Sequence, residues 1–336
     1  VTSVDDERYL RLAVAAADTV RLLTPPNPWV GAVVVTADGA VHQGATSEPG
    51  GPHAEIDALA KAGPAARGAT AYVTLEPCAH TGRTGPCADA LVAAGVQRVV
   101  VAIEDPDPLV AGRGIARLRD AGITVDVGVG EAEVREQLRA YITHRSLGRP
   151  YVVLKLAASF DGRIAAPDGS SKWITGAAAR SDAHRLRAES DAIVVGAHTV
   201  RTDDPSLTVR DFHPAGEIPG RGLDPLRVVL GAVKADARVQ PARELHGDVR
   251  EVLGTLAAEG VLQVMVEGGA NVAWRFHQAG VVDEYVLYLA PVLFGGDDAR
   301  GLFAGVGAQS MADVWRGAVH SVTRLGDDVR VVLRPH

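Results

Sequence analysis

Cysteine is nearly missing: the 336 residues contain two, Cys78 and Cys87. So few argue against a disulfide-stapled secreted scaffold. The opening Val1-Thr2-Ser3-Val4-Asp5-Asp6-Glu7 also lacks the basic, then apolar pattern of an export leader, so thiols in the cytoplasm are expected. No run of about 18 apolar residues occurs, which argues against a membrane-spanning helix. Positive charge is not in excess either. A net charge of -7 and a pI near 5.9 argue against a nucleic-acid surface, whose footprint is a basic stripe. A small-molecule substrate is the expectation. Aromatics make up only 4%; beside abundant Ala, Val, Gly and Arg this reads as compositional bias without functional content. What the chain does have is length, enough for two domains with separate cores.

The two cysteines stand in a patterned stretch. His53-Ala54-Glu55 is followed by Leu75-Glu76-Pro77-Cys78 and, after eight intervening residues, by Cys87. One imidazole and two thiolates hold zinc with a fourth tetrahedral position open, the build of a catalytic site. Zinc lowers the pKa of water in that position to about 7. Glu55 is not needed as a ligand and can carry a proton from that water to a leaving amine. The order is the H-x-E…P-C arrangement of zinc-dependent nucleobase deaminases, although those usually read P-C-x-x-C. The longer loop is accommodated if Cys78 ends a strand over Ala71–Leu75 and Cys87 opens a helix over Ala88–Ala94, whose start favours the thiolate. The alternatives are a structural zinc closed by His80, a disulfide, or two unrelated buried thiols.

In chain order, Asp5 to Thr19 carries Leu10, Val14 and Ala17 on one helical face, with acids in its first turn. Pro25-Pro26-Asn27-Pro28-Trp29 stops that helix, and Val30 to Thr36 reads as a buried strand. Asn27, fixed between prolines, is placed either to reach the metal pocket or simply to make the turn. His53 begins a helix that ends at Gly63-Pro64. On it His53 and Glu55 project about 200° apart, so both reach a metal only if it sits over the first turn. Strand Val96–Ile103, helix Gly114–Ala121 and strand Val125–Val129 then alternate as in a helix-covered sheet. A charged helix over Gly130–Arg145 separates the halves, which places domains at 1–147 and 148–336.

The second half opens on a buried-type strand, Tyr151–Ser159, interrupted by Lys155. Such a lysine is either a snorkelling ammonium or a functional one. Trp173 by itself reads equally as a core anchor. A helix over Gly176–Ser190, a strand over Ala192–Ala197 and a turn with paired acids over Thr199–Arg210 follow. Val264 to Trp274 reads as strand, glycine pair and helix start, which lets a phosphate approach backbone N–H groups or makes an ordinary tight turn. Arginines suit a sugar phosphate through bidentate pairing, but on helix faces they are usually solvated.

The runs Thr24-Pro25-Pro26-Asn27-Pro28-Trp29-Val30-Gly31, His53-Ala54-Glu55, Thr74-Leu75-Glu76-Pro77-Cys78 to Gly82-Arg83-Thr84-Gly85-Pro86-Cys87, Glu104-Asp105-Pro106-Asp107-Pro108 and Ala111-Gly112-Arg113-Gly114 resemble the bifunctional riboflavin-biosynthesis deaminase/reductase family. The likeness spans nearly the whole chain. It implies an α/β protein: an N-terminal cytidine-deaminase-like three-layer α/β/α domain and a C-terminal dihydrofolate-reductase-like α/β domain. It also implies zinc-dependent hydrolytic deamination of 2,5-diamino-6-(5-phosphoribosylamino)pyrimidin-4-one, then NADPH-dependent reduction of the ribosyl group to ribityl.

By the same resemblance His53, Cys78 and Cys87 hold Zn2+ and Glu55 moves the proton, while Asn27 and Arg83 meet the first substrate. In the second half the resemblance puts Lys155 in the active site, and a lysine and an acid among otherwise apolar strands lead to the expectation that Lys155 or Asp203 assists proton transfer. Ala157, Trp173, Thr199, Asp203 and the stretch Gly269, Ala270, Asn271, Val272, Ala273, Trp274 and Arg275 line NADPH. Ser171, Arg187, Leu207, Arg210 and Glu267 meet the phosphorylated substrate. The chain departs from relatives at Thr46, where many have His, at Gly231, where many have Asp, and in a shorter segment over 238–249. A small phosphoribosyl-pyrimidine is the expected partner, with no nucleic acid and no membrane. The expected assembly is a cytoplasmic homodimer joined through the reductase domain.

Overall fold

The structure, a computed structural model, describes residues 4–79, 85–108, 110–214 and 222–336. It divides into two compact units, the first running to Gly148 and the second starting at Arg149. Among the described residues no helix is long and apolar enough to cross a membrane.

The first unit contains, in chain order, α1 (Val4–Asp18), β1 (Gly31–Val35), β2 (Val41–Ala45), α2 (Ala54–Ala62), β3 (Thr70–Leu75), α3 (Cys87–Ala94), β4 (Arg98–Ile103), α4 (Arg113–Asp120), β5 (Thr124–Val127), α5 (Glu131–Gln137) and α6 (Arg139–Leu147). Its sheet has the order β2-β1-β3-β4-β5, with β1 antiparallel to both neighbours and β3, β4 and β5 parallel. Strands β1, β3 and β4 are almost wholly buried, as continuous apolar runs must be when helices cover both faces. Two glycines reveal the layering. A Cβ on Gly31 would lie 1.8 Å from the Ala13 carbonyl oxygen of α1, and one on Gly44 would lie 2.2 Å from the Ala54 carbonyl oxygen of α2. Gly44 pairs with Ala32. Successive residues of a strand face opposite ways, so α1 and α2 cover opposite faces and the unit is a three-layer α/β/α sandwich.

A local reading changes in this unit. The expected charged helix over Gly130–Arg145 is two helices, because fully buried Leu138 takes bridge-region dihedrals (φ -95°, ψ 15°) between α5 and α6. Asp6, one of the expected first-turn acids, is buried, which the sequence pattern does not indicate. It accepts from Arg98 Nη1 at 2.7 Å and from the Tyr72 hydroxyl at 3.0 Å, which ties α1 to the sheet.

The second unit contains β6 (Tyr151–Ser159), β7 (Arg163–Ala165), α7 (Ala177–Ala188), β8 (Ala192–Gly196), α8 (Ala197–Asp203), β9 (Leu226–Leu230), β10 (Arg243–Leu245), α9 (Val249–Ala258), β11 (Gln263–Val266), α10 (Ala270–Gln278), β12 (Glu284–Ala290), β13 (Arg300–Gly301), β14 (Gly317–Leu325) and β15 (Asp328–Pro335). The main sheet runs β10-β9-β8-β11-β6-β12-β15-β14, parallel as far as β12 and antiparallel over the last two strands. Alternation along β8 separates two cores. Ala192 and Val194 pack with Leu256 of α9 and Phe276 of α10, whereas Ile193 and Val195 pack with Val200, Leu207 and Val239. The stretch expected as a turn from Thr199 is helical as far as Asp203, and the chain leaves α8 through Asp204 in the left-handed region (φ 40°). This strand order brings the carboxyl ends of β8, β11 and β6 side by side, where open parallel sheets take their ligands.

Candidate active sites

In the first unit two helix starts and a loop converge. His53 immediately precedes α2 in an extended conformation, and Cys87 is the first residue of α3. Cys78 does not end the strand: β3 stops at Leu75 and the loop through Pro77, which has no N–H to pair, carries the thiol. Nitrogen and sulfur atoms of the three residues lie within 4.8 Å of one another, the one such group of His, Cys, Asp or Glu among the described residues. His53 Nδ1 is 3.3 Å from Cys87 Sγ and 3.7 Å from Cys78 Sγ, and the Cys87 N–H donates to Cys78 Sγ at 3.4 Å. Both cysteines are free thiols, which removes the disulfide alternative. His80 and Arg83 lie outside the described residues.

This donor set fits zinc. Hydrogen bonds from the Cys87 thiol, from His53 and from the Cys87 N–H hold Cys78 down to about 4, whereas Cys87, giving its proton to Cys78 and buried, is pushed up. Two adjacent sulfurs sharing one proton are converted to two thiolates by a divalent cation, and a nitrogen with two sulfurs is a catalytic zinc set. Glu55 sits in the first turn of α2 at 4% exposure. Burial pushes its carboxyl up to about 7, where a group can both take and return a proton near neutral pH.

A cavity of about 510 Å3 opens beside these groups and is lined by Asn27, Thr46, His53, Glu55 and Cys78. The Thr46 hydroxyl is engaged by the backbone of Val30, receiving its N–H at 3.2 Å and donating to its carbonyl at 3.3 Å. Glu76, whose carboxylate accepts N–H groups from Asp105, Gly112, Gly114 and Ile115 at 2.8 to 3.2 Å, fastens the cysteine loop to the start of α4. Tyr141 and Arg145 also line the cavity, and the sequence reading passed over them. Their i, i+4 spacing was a visible signal that both share one helix face.

In the second unit Lys155 of β6 points its ammonium at Glu267, just past the end of β11, at 3.9 Å. Arg187 of α7 donates to both Glu267 oxygens, at 3.2 and 2.6 Å, and to the Thr208 carbonyl at 2.9 Å. Burial alone would raise the Glu267 carboxyl, but Lys155 and Arg187 outweigh it and hold it down to about 2. Arg210 donates to the Ser206 hydroxyl at 2.7 Å, and its backbone N–H donates to His184 Nδ1 at 3.0 Å. Leu207 is buried at positive φ (53°), so it offers a ligand its backbone and not its side chain.

Ser171 and Trp173 share a smaller cavity with Val292, Leu293 and Phe294; at 73% exposure Trp173 is no core anchor. Ala157 lies farther along β6, opposite Tyr288. The glycine pair after β11 forms a cradle. A Cβ on Gly268 would meet the Val272 side chain at 2.3 Å, and one on Gly269 would sit 3.8 Å from Thr199 Oγ1, so Thr199 of α8 lies beside the start of α10. Bare backbone at such a helix start fits the phosphates of a dinucleotide. Ala270 and exposed Asn271 belong to that first turn, and Asp203 ends α8 exposed. The rest of the expected cofactor stretch turns elsewhere: Val272 and Ala273 enter the core, Trp274 abuts Gly305, and Arg275 donates to the Gly247 carbonyl.

Residues 3–103 match the cytidine and deoxycytidylate deaminase zinc-binding region, and residues 150–331 match the RibD C-terminal domain. The chain is 39% identical to the riboflavin biosynthesis protein RibD of Escherichia coli, over 97% of this chain and 98% of that one. It is 45% identical to the protein of the same name from Corynebacterium ammoniagenes, over 86% of this chain and 87% of that one. Among solved structures, RibD from Acinetobacter baumannii has a TM-score of 0.93 at 39% identity, covering 98% of this chain and 99% of its own. A Thermotoga maritima diaminohydroxyphosphoribosylaminopyrimidine deaminase/5-amino-6-(5-phosphoribosylamino)uracil reductase has a TM-score of 0.87 at 32% identity, with the same coverage. With both halves matched in one continuous chain, the protein belongs to the RibD family of bifunctional riboflavin-biosynthesis enzymes, a zinc-binding deaminase region followed by a reductase domain.

Proposed function

We propose that residues 1–147 deaminate 2,5-diamino-6-(5-phosphoribosylamino)pyrimidin-4-one hydrolytically and that residues 148–336 then reduce the ribosyl group of the product to ribityl with NADPH. The observation that carries this reading is the buried Glu55 carboxyl beside the His53, Cys78 and Cys87 triangle, lining one cavity with Asn27. His53, Cys78 and Cys87 would hold zinc, which would supply Lewis acidity toward the attacking water. Glu55 accepts a proton from the attacking water and delivers it to the departing amine nitrogen, so that ammonia leaves and the ring carbon keeps the oxygen. Asn27 orients the ring and Arg83 meets the phosphate.

In the second unit bound NADPH would supply the hydride for C1 of the ring-opened ribose. Lys155 or Asp203 provides the proton that the acceptor atom needs as the hydride arrives. Glu267 keeps the Lys155 ammonium in place and offers the substrate an acceptor, while Arg187, Arg210 and the Leu207 backbone meet the phosphate. Ser171 touches the substrate and Trp173 and Ala157 the nicotinamide. Thr199, Gly269 and the first turn of α10 hold the cofactor.

Pairing of two copies through the reductase unit is supported by its sheet edge: β14 is terminal, with Val319 and Val322 more than 60% exposed. The absence of long apolar helices among the described residues fits a cytoplasmic setting. The deciding experiment supplies the purified chain with the diaminopyrimidine ribotide, with and without NADPH. Ammonia is expected in both cases and NADPH oxidation only after ammonia. NADPH oxidation with no ammonia release would overturn the assignment of the first unit.

A further inference from the structure

We propose that Arg145, in addition to the Arg83 named above, recognises the phosphate of the ribotide in the deaminase cavity, an inference that rests on the deaminase reading above. The substrate carries a dianion into a cavity whose described charged lining is otherwise acidic apart from the His53 imidazole: Glu55, Glu76, Asp105 and Asp107. Arg145 is the single guanidinium or ammonium among the described lining residues.

The acids are differently engaged. Glu76 is saturated by four backbone N–H groups. Asp105 accepts the Tyr141 hydroxyl at 3.1 Å and the Asp107 N–H at 2.9 Å. Asp107 faces Arg145 Nε at 3.6 Å, an ion pair longer than a hydrogen bond, so it steadies the guanidinium without using it up. Tyr141, one turn earlier on α6, supports the same group with its ring, 5.3 Å from the guanidinium carbon. With its side chain 35% exposed, Arg145 is neither spent in a buried pair nor loose in solvent. A planar fork held by an aromatic face and a distant acid is prepared for bidentate contact with phosphate oxygens.

The test compares deamination of the ribotide with that of its dephosphorylated riboside by the zinc-loaded full-length enzyme, using Arg145→Ala and Arg145→Lys. Arg145→Ala should raise KM for the ribotide roughly tenfold to a hundredfold, leave kcat nearly unchanged, and leave KM for the riboside where it was. Arg145→Lys should recover part of the loss. Inorganic phosphate should inhibit the wild type competitively and Arg145→Ala more weakly. Retained zinc content and an unchanged rate on the riboside report that the deaminase unit of both variants has folded. An unchanged ribotide KM, or equal rises for ribotide and riboside, overturns the proposal. Wild-type enzyme that releases no ammonia overturns the deaminase reading itself.

Discussion

At the scale of single residues the two sites use burial in opposite ways. Glu55 is buried and its carboxyl is thereby raised toward neutrality, where a group can take and return one proton. Glu55→Gln keeps the shape and removes that capacity. Deamination should fall by about 10² to 10⁴ while zinc content, read by atomic absorption, stays at the wild-type level. Loss of zinc in this variant would instead make Glu55 a support for the metal. Glu267 is buried with cations, and its carboxyl lies at about 2 against a usual 4.5. Between those values the unfolded chain binds a proton that the folded chain does not. Stability therefore rises with pH across that window and is lost as acid is added, by about 3 kcal/mol in full. Urea unfolding from pH 2.5 to 5 should show a flatter dependence in Glu267→Gln. An unaltered slope would remove Lys155 and Arg187 as its cause.

At the scale of elements, the metal triangle is held by contacts that reach beyond its ligands. The start of α4 presses on the cysteine loop so closely that a Cβ on Gly114 would lie 1.8 Å from the Pro77 carbonyl oxygen. Gly114→Ala must push Pro77, and with it Cys78, away. Zinc should pass to a chelator faster than from wild type, with destabilisation of about 1–3 kcal/mol. Equal transfer rates would show that the loop yields without moving its sulfur.

The strands, the ligands and Glu55 were legible because period, apolar runs and motif spacing are local. Other features were not. Asp6 looks like an ordinary helix-start acid until Arg98, far along the chain, turns out to be its partner. Tyr141 and Arg145 looked like part of a spacer because the break at Leu138 follows from burial, which no local signal carries. Thr199 to Asp203 looked like a turn because its paired acids and following proline hid a short helix. Within the expected cofactor stretch, which side chains α10 turns into the core follows from helical rotation, which a linear motif does not display.

At the scale of the molecule, the metal set and the Lys155–Glu267–Arg187 cluster draw on separate units, each with its own sheet. Stripping zinc with a chelator should therefore abolish ammonia release from the diaminopyrimidine and leave NADPH oxidation on the deaminated ribotide unchanged. Parallel loss of both activities would show that the metal also maintains the reductase. The whole-chain division was legible because the Lys155-bearing strand begins a new apolar pattern after a charged stretch. The strand order was not, since β6 takes its neighbours from Gln263–Val266 and Glu284–Ala290.

That placement of β6 has a temporal side. A chain emerging from its amino end presents His53, Cys78 and Cys87 within one short span, so metal capture needs only local closure. Lys155 emerges soon afterwards, yet its flanking strands are still to be translated, and its ammonium waits for Glu267. During synthesis the metal-binding set is thus complete ahead of the Lys155–Glu267 pair, so the first unit can close while the second still lacks its central strands.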